Sequence, residues 1–173
     1  MRVILILFLF LSTTLSAQQK VLKTLFKGDK KLEKADTTAA LNLYFKALFM
    51  DSTVADSYAK ISDIYVAQEN YIEALDLLDD GIRLTMAVPQ DPESISHLFS
   101  VRSFLYFHMN KFGAALTDLD QAILLNESNP NYYYMRALIR RMNGDELGCC
   151  SDLRKAVALG MENAKVYRKA YCN

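Results

Sequence analysis

The chain has 173 residues, 51% of them apolar, with 20 Lys plus Arg balanced by 20 Asp plus Glu and no tryptophan. That length suits one domain with a real core and is short for a multi-domain enzyme. Zero net charge argues against a nucleic-acid partner, which needs a basic surface excess, and six Gly with three Pro are too few for a loop-rich β protein.

Residues 1–17, MRVILILFLFLSTTLSA, begin with Arg2, continue through nine uninterrupted apolar residues (Val3 to Leu11) and end on small residues. This is the layout of a signal peptide cut after Ala17. Nine apolar residues are too few for a membrane span, which takes about 20, so no span is expected in the mature chain. A buried N-terminal helix is the alternative, but it would need apolar cover on every side. Without residues 1–17 the balance is 19 basic to 20 acidic side chains over 156 residues. The expected location is the periplasm or outside the cell, an oxidising space in which disulfides persist.

The remainder, 18–173, reads as a single repeating domain. Ala40, Ala74, Ala115 and Cys149 are small residues spaced 34, 41 and 34 apart. Seven residues beyond each stand Ala47, Gly81, Ala122 and Ala156, and between them lie the large Tyr44, Leu78, Leu119 and Leu153. Tyr58, Phe99 and Tyr133 precede the last three small residues by sixteen. Steps of four and seven put these side chains on one helix face, where small residues let a second helix approach. Each unit therefore reads as two antiparallel helices joined by a short turn. Asp36, Asn70 and Asp145 are the expected N-caps, Asn70 with Glu73 in a capping box, and Asn110 is the expected cap in the third unit. The units run at about 21–54, 55–88, 96–129 and 130–163, although the first lacks the aromatic of its first helix.

The seven additional residues between the second and third units fall in MAVPQDPES (86–94), read as a loop plus about one extra helical turn starting at Asp91-Pro92. Asn129-Pro130 repeats that start. Gly160 is expected to end the last repeat helix in the left-handed conformation. A capping helix over 161–171 then offers Ala164, Tyr167, Ala170 and Tyr171 to the stack.

Arg102 and Asp118 are sixteen apart, as are Arg136 and Asp152, while Ile61 and Leu77 hold the same two places in the second unit. The joint change of character points to a pair between the two helices of one unit. Cys150 and Cys172 stand ten residues before and twelve after Gly160, so a disulfide is expected between them, with Cys149 a packed thiol. Metal or redox chemistry is not expected. The thiols lack a two-residue gap, and His97 and His108, eleven residues apart on one helix, are separated by roughly 16 Å. No phosphate loop, nucleophile elbow or zinc-protease motif occurs. The chain reads as no enzyme, with no cofactor and no metal; an accessory with a thiol-dependent step is the weakest reading. The sequon Asn126-Glu127-Ser128 reads as a loop.

The small–large–small ladder, with Tyr58, Ser62, Tyr65, Ala74 and Gly81 in the second unit and Phe99, Ser103, Tyr106, Ala115 and Ala122 in the third, resembles that of tetratricopeptide-repeat (TPR) proteins. The resemblance covers about residues 21–163. It implies an all-α solenoid of about four helix-turn-helix repeats plus a capping helix, and a peptide or protein partner held in the concave groove. By position, the implied groove residues are Asp56, Asp63, His97, Ser100, Phe104, Phe107, His108, Asn131, Tyr134 and Arg141. Phe104 and Phe107 lie off the core stripe and are either helix contacts or ligand anchors. Relatives that grip a C-terminal carboxylate use paired Lys and Asn where this chain has Ala59, Asp63, Ser100 and Phe104, so that role is not expected. The stretch 144–160 with the terminal Tyr-Cys also resembles exported repeat proteins of Bacteroidota-type bacteria. The alternative to groove binding is an assembly subunit of an envelope complex that uses its convex face or open end.

Overall fold

A computed structural model describes the backbone of residues 2–89 and 91–172 and the side chains of 15–89 and 91–172. The apolar run Val3–Leu11 that carries the export expectation lies outside the described side chains, and Gln90 of the insertion lies outside the described residues. Among these, nine helices follow one another without a strand: α1 Arg2–Leu32, α2 Thr37–Met50, α3 Ala55–Ala67, α4 Tyr71–Thr85, α5 Pro92–His108, α6 Phe112–Leu125, α7 Pro130–Met142, α8 Glu146–Ala158 and α9 Glu162–Tyr171. They pack as the pairs α1/α2, α3/α4, α5/α6 and α7/α8, each pair against the next, with α9 on α8.

The repeating residues form the spine of the stack. Ala40, Ala74 and Ala115 are fully buried, as are Tyr44, Leu78, Leu119 and Leu153 and the small residues Ala47, Ala122 and Ala156. Burying one Leu of this kind contributes about 1.5–3 kcal/mol. Leu48, Tyr65 and Leu77 bridge the core of the first unit to that of the middle units, and Ile123 bridges the middle to the last. A continuous core thus runs the length of the solenoid, as stacked repeats require.

The first unit closes this core with a different pair of volumes. Its α1 is regular through Leu32 and buries Val21 and Leu25. Tyr44 takes the place that Leu holds in the other units, and its ring occupies the space where a Cβ on Gly28 would sit. The Tyr44 hydroxyl then donates to Asp29 at 2.8 Å. Gly28 is the counterpart of Ser62, Ser103 and Ala137, so the larger ring is matched by the smaller partner.

The turns between paired helices share one device. Ala35, Glu69, Asn110 and Gly144 all take positive φ, at 58°, 60°, 57° and 80°, and Gly160 follows at 93° before α9. The residue after each is the N-cap. Asp36 accepts from the Ala39 N–H and Asp145 from that of Gly148. Two capping expectations are corrected. Asn70 sits at the N-cap but makes no side-chain cap bond, its amide donating instead to Gln68 at 3.4 Å. Asn110 does not cap α6; it supplies the left-handed residue, a conformation Asn tolerates, and Lys111 is the uncapped N-cap.

Asp91 and Asn129 cap α5 and α7 with Pro at the first turn. The insertion lengthens α5 to 17 residues, against 13 for α3 and α7, which is one turn. At the far end α9 buries only Ala164 of the four residues expected to face the stack. Tyr167 and Tyr171 remain 37% and 44% exposed.

Candidate functional site

The first helices α3, α5 and α7 line one face, and the residues of the predicted groove divide along it into three groups. At the α3 end, Asp63 is exposed and its carboxylate stands 3.4 Å from His97 Nε2. Hydrogen bonding to Asp63 raises the His97 imidazole above its ordinary 6.5, against the opposing effect of burial. Asp56 accepts from the Ser94 hydroxyl at 2.8 Å, a contact made by the extra first turn of α5.

The middle is apolar. Phe104, Phe107, Met135, Leu138 and Ile139 line a cleft of ≈ 250 Å³ between α5 and α7. The two predicted aromatics differ in role. Phe107 packs on the core and lies 5.9 Å, ring to ring, from Phe112. Phe104 belongs to no core cluster, and its ring meets His108 at 4.3 Å. Leu138 likewise stands outside every core cluster. His108 is exposed and stacks on Tyr71 at 5.7 Å. Above the cleft the two helices are joined by Ser100 to Met135 Sδ at 3.7 Å and by Ser96 to the Tyr132 hydroxyl at 3.0 Å.

The far end belongs to α7 and α9. Tyr134 meets Tyr167 edge-on at 5.4 Å, and burial followed by hydrogen bonding to Tyr167 pushes the Tyr134 hydroxyl up to about 12. The exposed Arg141 guanidinium lies 4.2 Å over the Tyr171 ring, with Glu146 at 3.7 Å. Asn131 is exposed on the first turn of α7, outside the cleft.

Behind the groove, the ionic residues hold the units in register. Arg102 donates through Nε and Nη2 to Asp118 at 2.8 and 2.7 Å, and Arg136 does the same to Asp152 at 2.9 and 2.7 Å. Each Arg also reaches back to the preceding unit through Nη1, to Asp79 or to Asp120. Arg140 adds a third guanidinium contact to Asp152 at 2.8 Å. Hydrogen bonding to Asp118 holds Arg102 charged and above its usual range, while burial raises the Asp118 carboxyl against the pull of that same Arg. The bidentate geometry favours the charged pair.

Cys150 and Cys172 form a disulfide with a Cα–Cα distance of 5.5 Å, fixing the end of α9 to α8. A loop of this span stabilises by about 3 kcal/mol in the chain-entropy account. Cys149 is a free, buried thiol that burial pushes up, the opposite of what a nucleophile needs. Among the described residues no group of three or more His, Cys, Asp or Glu side chains converges for a metal, and no helix is long and apolar enough to cross a membrane.

Met135, Leu138, Ile139 and Arg140 were missed from sequence, and the α9 tyrosines, expected to face the stack, meet Tyr134 and Arg141 instead. Leu138 was within reach, because it stands 34 residues after Phe104, one repeat length.

No family model and no curated protein sequence matches the chain. Solved structures do. One is the Cut9–Hcn1 hetero-tetramer of the APC/C, at TM-score 0.77 and 14% identity, covering 88% of this chain but 30% of the other. A second is MamA, at 0.66 and 20%, covering 89% and 87%. A third is the first TPR domain of Spaghetti (RPAP3) bound to the HSP90 peptide SRMEEVD, at 0.61 and 24%, covering 70% and 92%. The chain thus spans less than a third of the length of the Cut9-complex chain it matches. With its helix pairs in common register and these neighbours, the chain has the fold of an all-α tetratricopeptide-repeat solenoid.

Proposed function

We propose that this protein is a non-catalytic interaction module that binds a peptide or protein segment in its concave groove. One observation carries the reading: Phe104 and Leu138 are large, half-buried and apolar, yet they pack into no core and face a cleft between two first helices. At ≈ 250 Å³ the cleft is smaller than the roughly 300–1,000 Å³ typical of small-molecule sites and suits a partner's side chains. The peptide held by the similar RPAP3 domain supports the same reading.

We further propose that the protein is exported and that residues 1–17 are removed as a signal peptide. Support comes from burial: among the described side chains Leu15–Lys20 are all exposed and Val21 is the first that is buried, four residues after the proposed cut. The Cys150–Cys172 disulfide suits an oxidising compartment. Terminal sequencing of the protein recovered from its native envelope is expected to begin at Gln18; a chain starting at Met1 would end the proposal.

The second reading, an assembly subunit, is favoured by Phe49 and Leu124, which are 92% and 77% exposed at equivalent positions on the second helices. Photo-crosslinking in the native cell separates the two. A photoreactive residue replacing Phe104 is expected to yield adducts that the same residue replacing Leu124 does not. Adducts at 124 alone would move the function to the convex face.

A further inference from the structure

The groove is polarised, and its polarity specifies what fits. On the α3 side of the cleft stands Asp63, 54% exposed at its side chain, whose one close basic neighbour among the described residues is His97 at 3.4 Å. Its repeat counterpart on α5 is Phe104, and that of Phe104 on α7 is Leu138, so Asp63, Phe104 and Leu138 stand at one level across three successive first helices. Lys60, the other cation on this stretch of α3, is held by Asp29 at 2.8 Å. On the opposite side, Arg141 takes the repeat position of Phe107. It is 41% exposed, with Glu146, itself 77% exposed, at 3.7 Å. Carboxylate, apolar cleft and guanidinium therefore follow one another along the line of the groove.

Resting on the groove reading above, we infer that the bound partner is a peptide segment whose large apolar anchor is flanked by Lys or Arg on the α3 side and by Asp or Glu on the α7 side. The anchor fills the space between Phe104 and Leu138, where both side chains lack core partners. The partner's cation faces Asp63, and its carboxylate faces Arg141. A uniformly acidic segment would place like charges against Asp63 and Asp56, and a uniformly basic one would meet Arg141. Such juxtapositions select against wrong partners more strongly than matched charges add affinity.

The test is selection of random dodecapeptides displayed on phage against the purified protein, with Phe104→Ser as the parallel bait. Because Phe104 lies outside the core clusters, that variant is expected to keep its helical circular-dichroism spectrum. The expected outcome is a set of peptides with an aromatic or large aliphatic residue between a basic and an acidic flank, in either chain direction. Their affinity should fall at least about tenfold on Phe104→Ser. Asp63→Lys should reverse the preferred charge of one flank and Arg141→Glu that of the other. Peptides that need Phe104 but show no charge order would overturn this inference and leave the groove reading standing. Peptides indifferent to Phe104, or no enrichment over the variant, would overturn both. Concentration-dependent dimerisation that Phe104→Ser abolishes, followed by sedimentation, would assign the cleft to a second copy of the chain and overturn the inference as well.

Discussion

The second unit and the two that follow it join their paired helices by different chemistry at the same positions. In the second, Ile61 is fully buried and Leu77 packs beside it. In the third and fourth, Arg102 and Arg136 grip Asp118 and Asp152 and tie back to Asp79 and Asp120. One backbone geometry thus accepts an apolar pair or an ionic one between the two helices of a unit, provided both members change together. A mixed set would bury a charge without its partner, which costs far more than either pure set.

Breaking one ionic set should have the largest effect. Asp152 is buried and takes both Arg136 and Arg140, so Asp152→Ala is expected to cost about 3–5 kcal/mol in chemical denaturation. The matching change in the second unit, Leu77→Ala, removes a partly buried side chain and should cost about 2 kcal/mol.

Converting one set into the other sharpens the point. Arg102→Ile with Asp118→Leu recreates the second unit's solution and leaves Asp79 free to hydrate. The double variant is expected to lie within about 1 kcal/mol of the parent or above it, although each single change is clearly destabilising. Two additive losses in the double-mutant cycle would show that the positions are not coupled.

Equivalent serines extend the comparison. Ser103 donates to the Ala115 carbonyl at 2.9 Å, while Ser62 Oγ is buried with no partner among the described residues. Ser103→Ala should therefore cost about 1 kcal/mol, and Ser62→Ala should be neutral or stabilise by about 1 kcal/mol. Thermal midpoints of the two variants measured side by side decide this.

The turns differ in the same way. Glu69 holds the left-handed position that Gly fills at Gly144. Glu69→Gly is expected to gain about 0.5–1 kcal/mol, and Gly144→Ala to lose about 1 kcal/mol. Equal signs in denaturant titrations would contradict the assignment.

Smallest is the pH dependence of the contact between the second and third units. His97 faces Asp63, Asp56 and Lys60, and its folded value lies above 6.5 because of Asp63. Its contribution is complete below pH 6.5 and is lost as pH rises through the raised folded value. The side chain is nearly half exposed, so solvent screening keeps the effect to about 0.5 kcal/mol or less. His97→Gln should flatten the stability difference between pH 5.5 and pH 8; an unchanged slope would assign that difference to other groups.

Residue spacing alone reaches far into this fold. A period of 34 with one seven-residue insertion, small residues seven apart and an aromatic sixteen before them determine which faces meet, because helix geometry converts spacing directly into direction. The Arg–Asp and cysteine positions were open to the same logic, since each is a displacement along a known helix. Turn details were not: Asn70 and Asn110 carry the right chemistry for caps, yet a one-residue shift in where the chain enters the left-handed conformation changes what each does. Nor was the cleft. Met135 and Ile139 obey the core period and line it all the same, and Phe104 is distinguished from Phe107 by what packs beside it, a matter of the distance between α5 and α7. Tertiary structure alone decides that distance, because the space between two helices depends on every side chain that holds them apart.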